Sequence, residues 1–412
     1  MREDFISAYL SYIGETESPI TYHRWSALTI LGAWLGRRYN FQLGHFNIAS
    51  NMYVMLMGGA GARKSTAIKI ASSLIRKAGY ESVAAERTTK EKFLMDLAGE
   101  NVDVDSKGNI LETNLFGTSD HIAEILVAAD EFNVFVGNGN IEFLSLLGTL
   151  WDYSGKFEDR KKNSKSLIIE DPTVSLLAGN TATGFSLAFP AEAIGQGIFS
   201  RLILIHGEKT DKRITFPKPP SSDTERLLID ILHAIRQVAS GNAILTQAAE
   251  RLLDTIYKSW DGMSDVRFES YSNRRFSHLL KLCLIVSASA LRNAVEETDV
   301  IYANTILTHA EHSMSKALGE FGKAKNSDVA HKVIQLLESS QLPVSLKDIW
   351  RSVHNDLEDI SALKDMLSNL VIAEKVLSTK GGFLAKRRVL EEVSTEYVDF
   401  SFLTDEERRY IV

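Results

Sequence analysis

Apolar residues recur at helical spacing in DFISAYLSYIG and again in TYHRWSALTILGAWLG, which predicts two helices within residues 1–38. Short β-rich runs follow, FQLG and FNIA, and then NMYVMLMGG, a strand entering a glycine loop. TAIKIASSLIRKAGY continues as a helix stopped by Gly79. From there to about residue 207, strand-like and helix-like runs alternate: SVAAE, a helix at 89–98, an acidic loop at 100–114, ILVAAD, IEFLSLLGTLWDY, SLIIE, PTVSLLAG and LILIHG. Such alternation predicts an α/β fold with a parallel sheet flanked by helices. Pro217, Pro219 and Pro220 then mark a linker, and four amphipathic or apolar helical patterns occupy the stretch up to about residue 318. The last part changes rhythm. Helices at 327–339, 345–354 and 359–373 precede KVLSTKGGFLAKR, a hairpin turning at Lys380, Gly381 and Gly382, and this is the winged-helix pattern.

Composition narrows the class. The chain has 412 residues, 44% hydrophobic and 24% charged, enough to bury a full core. Its single cysteine, Cys283, lies in the apolar run LKLCLIVSA, which excludes a disulfide framework and a cysteine-based zinc site. The longest uncharged apolar stretch, 26–36, is too short to span a bilayer, and the N-terminus lacks a cleavable-signal layout, so a cytoplasmic protein without a membrane partner is expected. The net charge of −7 is concentrated in the tail, where seven acids at 391–407 face only Arg408 and Arg409. A nucleic-acid site must therefore be a local cluster of Lys and Arg.

The sharpest motif is GGAGARKST: Gly58, Gly59, Ala60, Gly61, Ala62, Arg63, Lys64, Ser65 and Thr66, between a strand and a helix. Backbone N–H groups of such a turn cradle phosphate oxygens, and the helix N-terminus adds partial positive charge. Lys64 would reach the β- and γ-phosphates of ATP, and Ser65 would bind Mg²⁺. Residue 63 is Arg where the usual phosphate loop has Gly, so its side chain must point away from the phosphates or add its charge to them. ILVAADEF ends an apolar strand in two acids: Asp130, placed to hold Mg²⁺ through water, and Glu131, placed to polarise the attacking water. PTVSLLAGNT ends a strand in Asn180, whose amide could position that water. GQGIFSRLILIHG sets Arg201 just ahead of the final core strand, where it cannot easily reach its own phosphate loop but can reach a neighbour's.

In this order the four motifs resemble AAA+ ATPases, specifically the ring helicases of superfamily 3 and the helicase-like ATPases of bacteriophages and prophages. The resemblance covers roughly residues 15–310 and includes PITYHRWSALTILGAWLGRRYNF, the Arg-Lys-Ser ending of the loop and GIFSRLILIH. It implies an AAA+ P-loop ATPase core with N-terminal helices and a helical lid, to which the helix and hairpin pattern adds a C-terminal winged-helix-like module. It also implies catalytic roles for Lys64, Glu131, Asn180 and Arg201, the last as an arginine finger. NRRFSHLLKLCLIVSASALRN followed by ETDVIYANTILTHA looks like the lid of minichromosome-maintenance helicases, which implies that Arg274, or alternatively Arg275, touches the γ-phosphate. The expected domains are an N-terminal segment at 1–50, the ATPase core at 51–208, a linker at 209–224, the lid at 225–325, the winged-helix-like domain at 326–389 and the acidic tail at 390–412.

Between the carboxylate strand and the Asn180 strand lies FEDRKKNSKSLIIE. Arg160, Lys161, Lys162 and Lys165, with Lys156 nearby, form the densest basic cluster of the core at an expected strand–turn–strand. In ring helicases a hairpin at this place grips the phosphates of a single DNA strand in the central channel. The basic wing at 375–388 is a second, weaker candidate, and the tail could dock on a partner, mimic DNA or pack back on the body. The combined expectation is a homo-oligomeric, hexameric DNA helicase or translocase, the replicative motor of a phage or mobile element, working with a separate primase or initiator. A replication initiator or helicase loader would use the same ATP site as a switch.

Overall fold

The computed structural model describes residues 4–14, 16–99, 103–104, 110–111, 122–160, 166–190, 197–218, 220–319, 327–340, 342–354, 356–357, 359–372, 376–379, 381–385 and 397–409. The chain forms two compact units. One spans residues 1–319 and 397–412, and the other spans 320–396. The expected N-terminal segment and core, the expected lid up to 319 and the expected tail from 397 therefore belong to one unit.

That unit begins with α1 (Phe5–Tyr12), capped by Asp4, and α2 (Ile20–Leu35), which is buried on every face. A hairpin of β1 (Tyr39–Leu43) and β2 (Phe46–Ala49) leads into β3 (Tyr53–Met57), the loop 58–63 and α3 (Lys64–Lys77). After α4 (Lys90–Leu97), a short antiparallel pair, β4 (Asp103–Val104) and β5 (Ile110–Leu111), lies within the stretch expected to be only an acidic loop. Next come β6 (Glu124–Ala129), α5 (Phe132–Val136), α6 (Ile141–Leu150), the hairpin of β7 (Lys156–Asp159) and β8 (Leu167–Glu170), β9 (Thr173–Asn180), α7 (Ala182–Ala188) and β10 (Leu202–His206).

The central sheet is parallel, in the order β10–β3–β9–β6. Val83, in the run expected as a strand at SVAAE, bridges Leu126 of β6 in parallel. All residues of β3 and β9 are buried, as a parallel sheet covered on both faces requires. Tyr53 pairs with Leu202 on one side and Leu176 on the other, so the three strands run in step and share the same two ends.

After the proline segment, α8 (Ser222–Val238) packs on the N-terminal helices. The Trp34 indole donates to the Leu232 carbonyl at 2.6 Å, and the Arg236 guanidinium lies over the Trp34 ring at 3.4 Å. Two short parallel strands, β11 (Gly241–Asn242) beside β1 and β12 (Ile244–Leu245), lead to α9 (Gln247–Ser259), α10 (Glu269–Ser272) and α11 (Arg275–Ser289). Then β13 (Ala294–Val295) pairs with β12, and α12 (Glu297–Leu318) follows, opened by a Glu296–Asp299 capping box.

The tail packs back on this unit. Asn304 donates to the Tyr397 carbonyl at 2.9 Å, and Glu407 forms a two-point ion pair with Arg24 of α2 at 2.6 and 2.7 Å, both side chains buried. Of the three alternatives for the tail, this is the one observed.

The second unit holds α13 (Ser327–Ser339), α14 (Leu346–Val353) and α15 (Ile360–Ile372), with a hairpin of β14 (Val376–Thr379) and β15 (Gly382–Ala385). Val344 and Phe383 exchange backbone hydrogen bonds at 2.8 and 2.9 Å, adding a third edge to the hairpin. Gly382 is required there, since a Cβ would collide with the Val344 carbonyl. Val333, Leu337, Ile349, Leu363, Leu367 and Val376 make its core. The expected basic residues Lys375, Lys380, Lys386, Arg387 and Arg388 lie outside the described residues. Among the described residues no helix is long and apolar enough to cross a membrane.

Candidate active site

The C-terminal ends of β3, β9 and β6 meet at one end of the sheet. Gly58, the first loop residue, donates its N–H to the Asn180 carbonyl at 3.3 Å, so the loop starts from the tip of the adjacent strand. A Cβ on Gly58 would collide with the Tyr22 hydroxyl, which itself donates to the carbonyls of Met57 at 2.6 Å and Gly207 at 2.9 Å. Thus α2 braces the base of the loop. Gly59, Ala60 and Gly61 are exposed, Gly61 at φ +82°, while Ala62 is buried. The helix behind them, α3, has no side-chain N-cap, unlike α1, α4, α6 and α7. Its first-turn N–H groups, from Lys64, Ser65 and Thr66 onward, thus face the loop without a helical acceptor. Such a helix start can receive an anion.

Lys64 Nζ donates to the carbonyls of Gly58 at 2.8 Å and Gly59 at 3.0 Å, folded back on its own loop. Burial pushes its ammonium below the ordinary lysine value, and the Glu131 carboxylate opposes that shift. Asp130 closes β6 and pairs with Lys69 of α3 at 2.9 Å. Gly179, one residue before the tip of β9, permits this assembly. A Cβ there would stand 2.6 Å from the Asp130 carbonyl and 3.5 Å from Lys64 Cβ. Glu131 is exposed at the start of α5. Asn180 is buried. Its Oδ1 accepts the Thr181 N–H at 3.0 Å, and its Nδ2 has no partner among the described residues. A buried donor left free costs about 1–3 kcal/mol, which an oxygen of a ligand or water would relieve.

These residues suit Mg²⁺ with a polyphosphate. That ion keeps several waters and takes one or two carboxylates plus phosphate oxygens. Ser65 and Asp130 would hold it, and it would neutralise charge on the phosphates. Among the described residues no group of three or more His, Cys, Asp or Glu is placed to hold a metal ion.

Arg201 and Arg274 lie at the other end of the sheet. Arg201 ends the turn before β10, and its guanidinium donates to the Gly197 carbonyl and lies 5.9 Å from the Trp151 ring. Arg274 lies at the same distance from that ring and 3.6 Å from Asp152. Burial pushes Arg201 down from the ordinary arginine value, and the nearby Arg274 adds to the shift. Arg201 Nε is buried without a partner among the described residues. Behind them Lys281 is fully buried, 3.4 Å from Asp152 and 4.4 Å from the Trp151 ring. Burial brings Lys281 down to about 8, against the pull of Asp152. Lys281 and Arg274 thus share the Asp152 carboxylate, with the Arg201 guanidinium by the same ring. Arg275 does not join them, being tied up in a buried pair with Glu311 at 2.8 Å.

In the hairpin, Lys156 opposes Glu170 in register and pairs with Glu158 at 3.0 Å, and Arg160 pairs with the same Glu158. Lys161, Lys162 and Lys165 lie outside the described residues. The chain matches no model of a known protein family and no curated protein.

Sequence reasoning missed several members of this constellation. Lys69 and Glu17, which binds Arg63, carried no motif. Lys281 did carry a signal: a single charge inside an apolar helical run must find buried partners.

Proposed function

We propose that this chain is an AAA+ ATPase that assembles into a ring, of six subunits by its resemblance, and moves along or unwinds DNA with ATP and Mg²⁺, as the replicative motor of a phage or mobile element. The observation that carries the reading is the division of polar and charged groups between the two ends of one parallel sheet. Lys64, Ser65, Asp130, Glu131 and Asn180 gather at one end, and Arg201 and Arg274 gather at the other. A head-to-tail ring brings each loop against a neighbour's arginine pair. Lys64 and the loop amides bind the β- and γ-phosphates. Glu131 takes the proton of the attacking water, Asn180 orients that water, and the partner's arginines stabilise charge on the transferred phosphoryl group. The hairpin carrying Lys156, Arg160, Lys161, Lys162 and Lys165 supplies phosphate contacts to a single strand in the channel.

Strand displacement on forked DNA with ATP tests the function. Unwinding by the wild type, absent in Lys64→Ala, is expected. Hydrolysis without unwinding identifies a loader or initiator instead, and movement on duplex without opening identifies a double-strand translocase.

A further inference from the structure

Residue 63 is where the loop carries a side chain in place of glycine, and the structure accounts for that side chain. Arg63 has φ +59° and ψ 28°, the left-handed region that an L-residue enters only at a cost. Its guanidinium turns out of the loop and donates from Nε at 2.9 Å and Nη2 at 2.5 Å to one oxygen of Glu17. The other Glu17 oxygen accepts the Ile214 N–H at 3.0 Å, and the Glu17 carbonyl accepts the Thr210 hydroxyl at 2.6 Å. The Ile214 N–H first, and Arg63 second, hold this carboxyl below the usual carboxylate range. Glu17 is therefore anchored by the segment after β10, and Arg63 is the partner free to move.

We propose that Glu17 is a positioning residue that parks Arg63 outside the phosphate loop, and that Arg63 exchanges this carboxylate for phosphate oxygens when a nucleoside triphosphate binds. The inference rests on the phosphate-loop reading above. A guanidinium fork fits carboxylate and phosphate alike. The ion pair is half open to solvent, with Arg63 53% and Glu17 25% exposed, so it belongs to the weak class that a more highly charged anion displaces. The backbone of Arg63 is the N-cap of α3, so the released side chain starts at the rim of the cradle. Glu17 thereby sets the energetic cost of recruiting Arg63 and with it the affinity for nucleotide.

The test measures binding of a fluorescent, non-hydrolysable ATP analogue with Mg²⁺ to the full chain and to Glu17→Gln, Arg63→Gly and the double variant. Glutamine keeps the size of the side chain and an oxygen for the Ile214 N–H while removing the charge. Glu17→Gln is expected to tighten binding about fivefold, the worth of an exposed ion pair no longer broken. In the Arg63→Gly background the same change is expected to shift affinity by under about twofold, because the two positions act through one interaction. An equal shift in both backgrounds means that Glu17 acts through space on the phosphates, and no shift in either means that the pair is idle; both results overturn the inference while leaving the nucleotide site intact. Absence of binding by the wild type overturns the phosphate-loop reading and the inference with it. Should Glu17→Gln fail to fold, Glu17→Ala serves, and its shift must likewise vanish beside Arg63→Gly.

Discussion

If the site is completed between subunits, two inactive variants should repair one another. Leu202 pairs with Tyr53, which sets Arg201 level with Met52, six residues before Gly58. At about 3.3 Å per residue the two positions are roughly 20 Å apart along the sheet, beyond the reach of a side chain. Arg201→Ala and Lys64→Ala should therefore damage different halves of the same interface. Each alone is expected to lower DNA-stimulated hydrolysis by at least about a hundredfold, since a finger contributes on the order of 10³-fold and the loop lysine about 3 kcal/mol. In a ring assembled from an equal mixture, an interface works when its loop comes from the Arg201→Ala chain and its finger from the Lys64→Ala chain. Random assembly makes about one interface in four competent, so turnover should recover to roughly a quarter of wild type if sites fire independently. The subunits are mixed before assembly, and co-assembly is verified by differential tagging. Normal hydrolysis by Arg201→Ala in the DNA-bound assembly refutes the divided site. Inactivity in every verified mixture refutes independent firing or places the finger in cis.

Other perturbations separate the remaining roles. Glu131→Gln should keep nucleotide binding while stopping hydrolysis, because an amide cannot take the proton of water; lost affinity with retained turnover would reassign Glu131 to a structural role. Replacing Lys161, Lys162 and Lys165 by Ala should weaken single-strand binding and flatten its salt dependence while sparing basal hydrolysis; an unchanged salt titration would move the DNA contact elsewhere, to the 375–388 wing first. Glu407→Ala should destabilise its unit by about 3–5 kcal/mol in denaturant unfolding, since it strands the buried Arg24 guanidinium. Burial pushes the Glu407 carboxyl up, but Arg24 and Thr404 hold it below its ordinary value. The stabilisation is therefore present above the unfolded carboxylate value and lost as pH falls through the lower folded one, and Glu407→Ala should show less acid-dependent loss than wild type.

The parallel core was legible because its strands are buried on both faces and carry continuous apolar runs: YVMLM, EILVAA and TVSLLAGN have no alternation to confuse with an exposed sheet. The loop was legible because glycines between a strand and an amphipathic helix leave few other backbone options. The grouping of helices was less legible. α8 carries the same amphipathic period as α9, yet it packs mainly on α1, α2 and α3, with Trp34 at the contact. Periodicity tells that a helix has an apolar face and is silent about which surface covers that face. The destination of the acidic tail was hidden for a related reason. Its charge pattern fits solvent or a partner, and it is the buried Arg24 guanidinium of α2 that needs Glu407.

Asp130 and Asn180 stand at ends of strands and Lys64 opens the helix that follows another, so sequence adjacency to a β-run fixes their place in space. Arg201 is also at a strand end, but at the opposite one, and a parallel sheet converts that single fact of direction into a separation too long for one chain to bridge. The seat of Arg201 is not written locally at all: Trp151 and Asp152 follow α6, Arg274 precedes α11, and Lys281 lies two turns inside α11. Each residue alone is an ordinary aromatic or charge. What joins them is the energetic demand of Lys281, a buried ammonium that must face Asp152 and the carbonyl of Ala49. Satisfying that demand fixes where Asp152 stands, and Asp152 in turn is the only carboxylate among the described residues ion-paired with Arg274. Arg274 is consequently held by a charge whose own position is dictated from the core, and Arg201 lies by the same Trp151 ring, so the gathering of positive charge at that end of the sheet is a property of the folded chain rather than of any segment of its sequence.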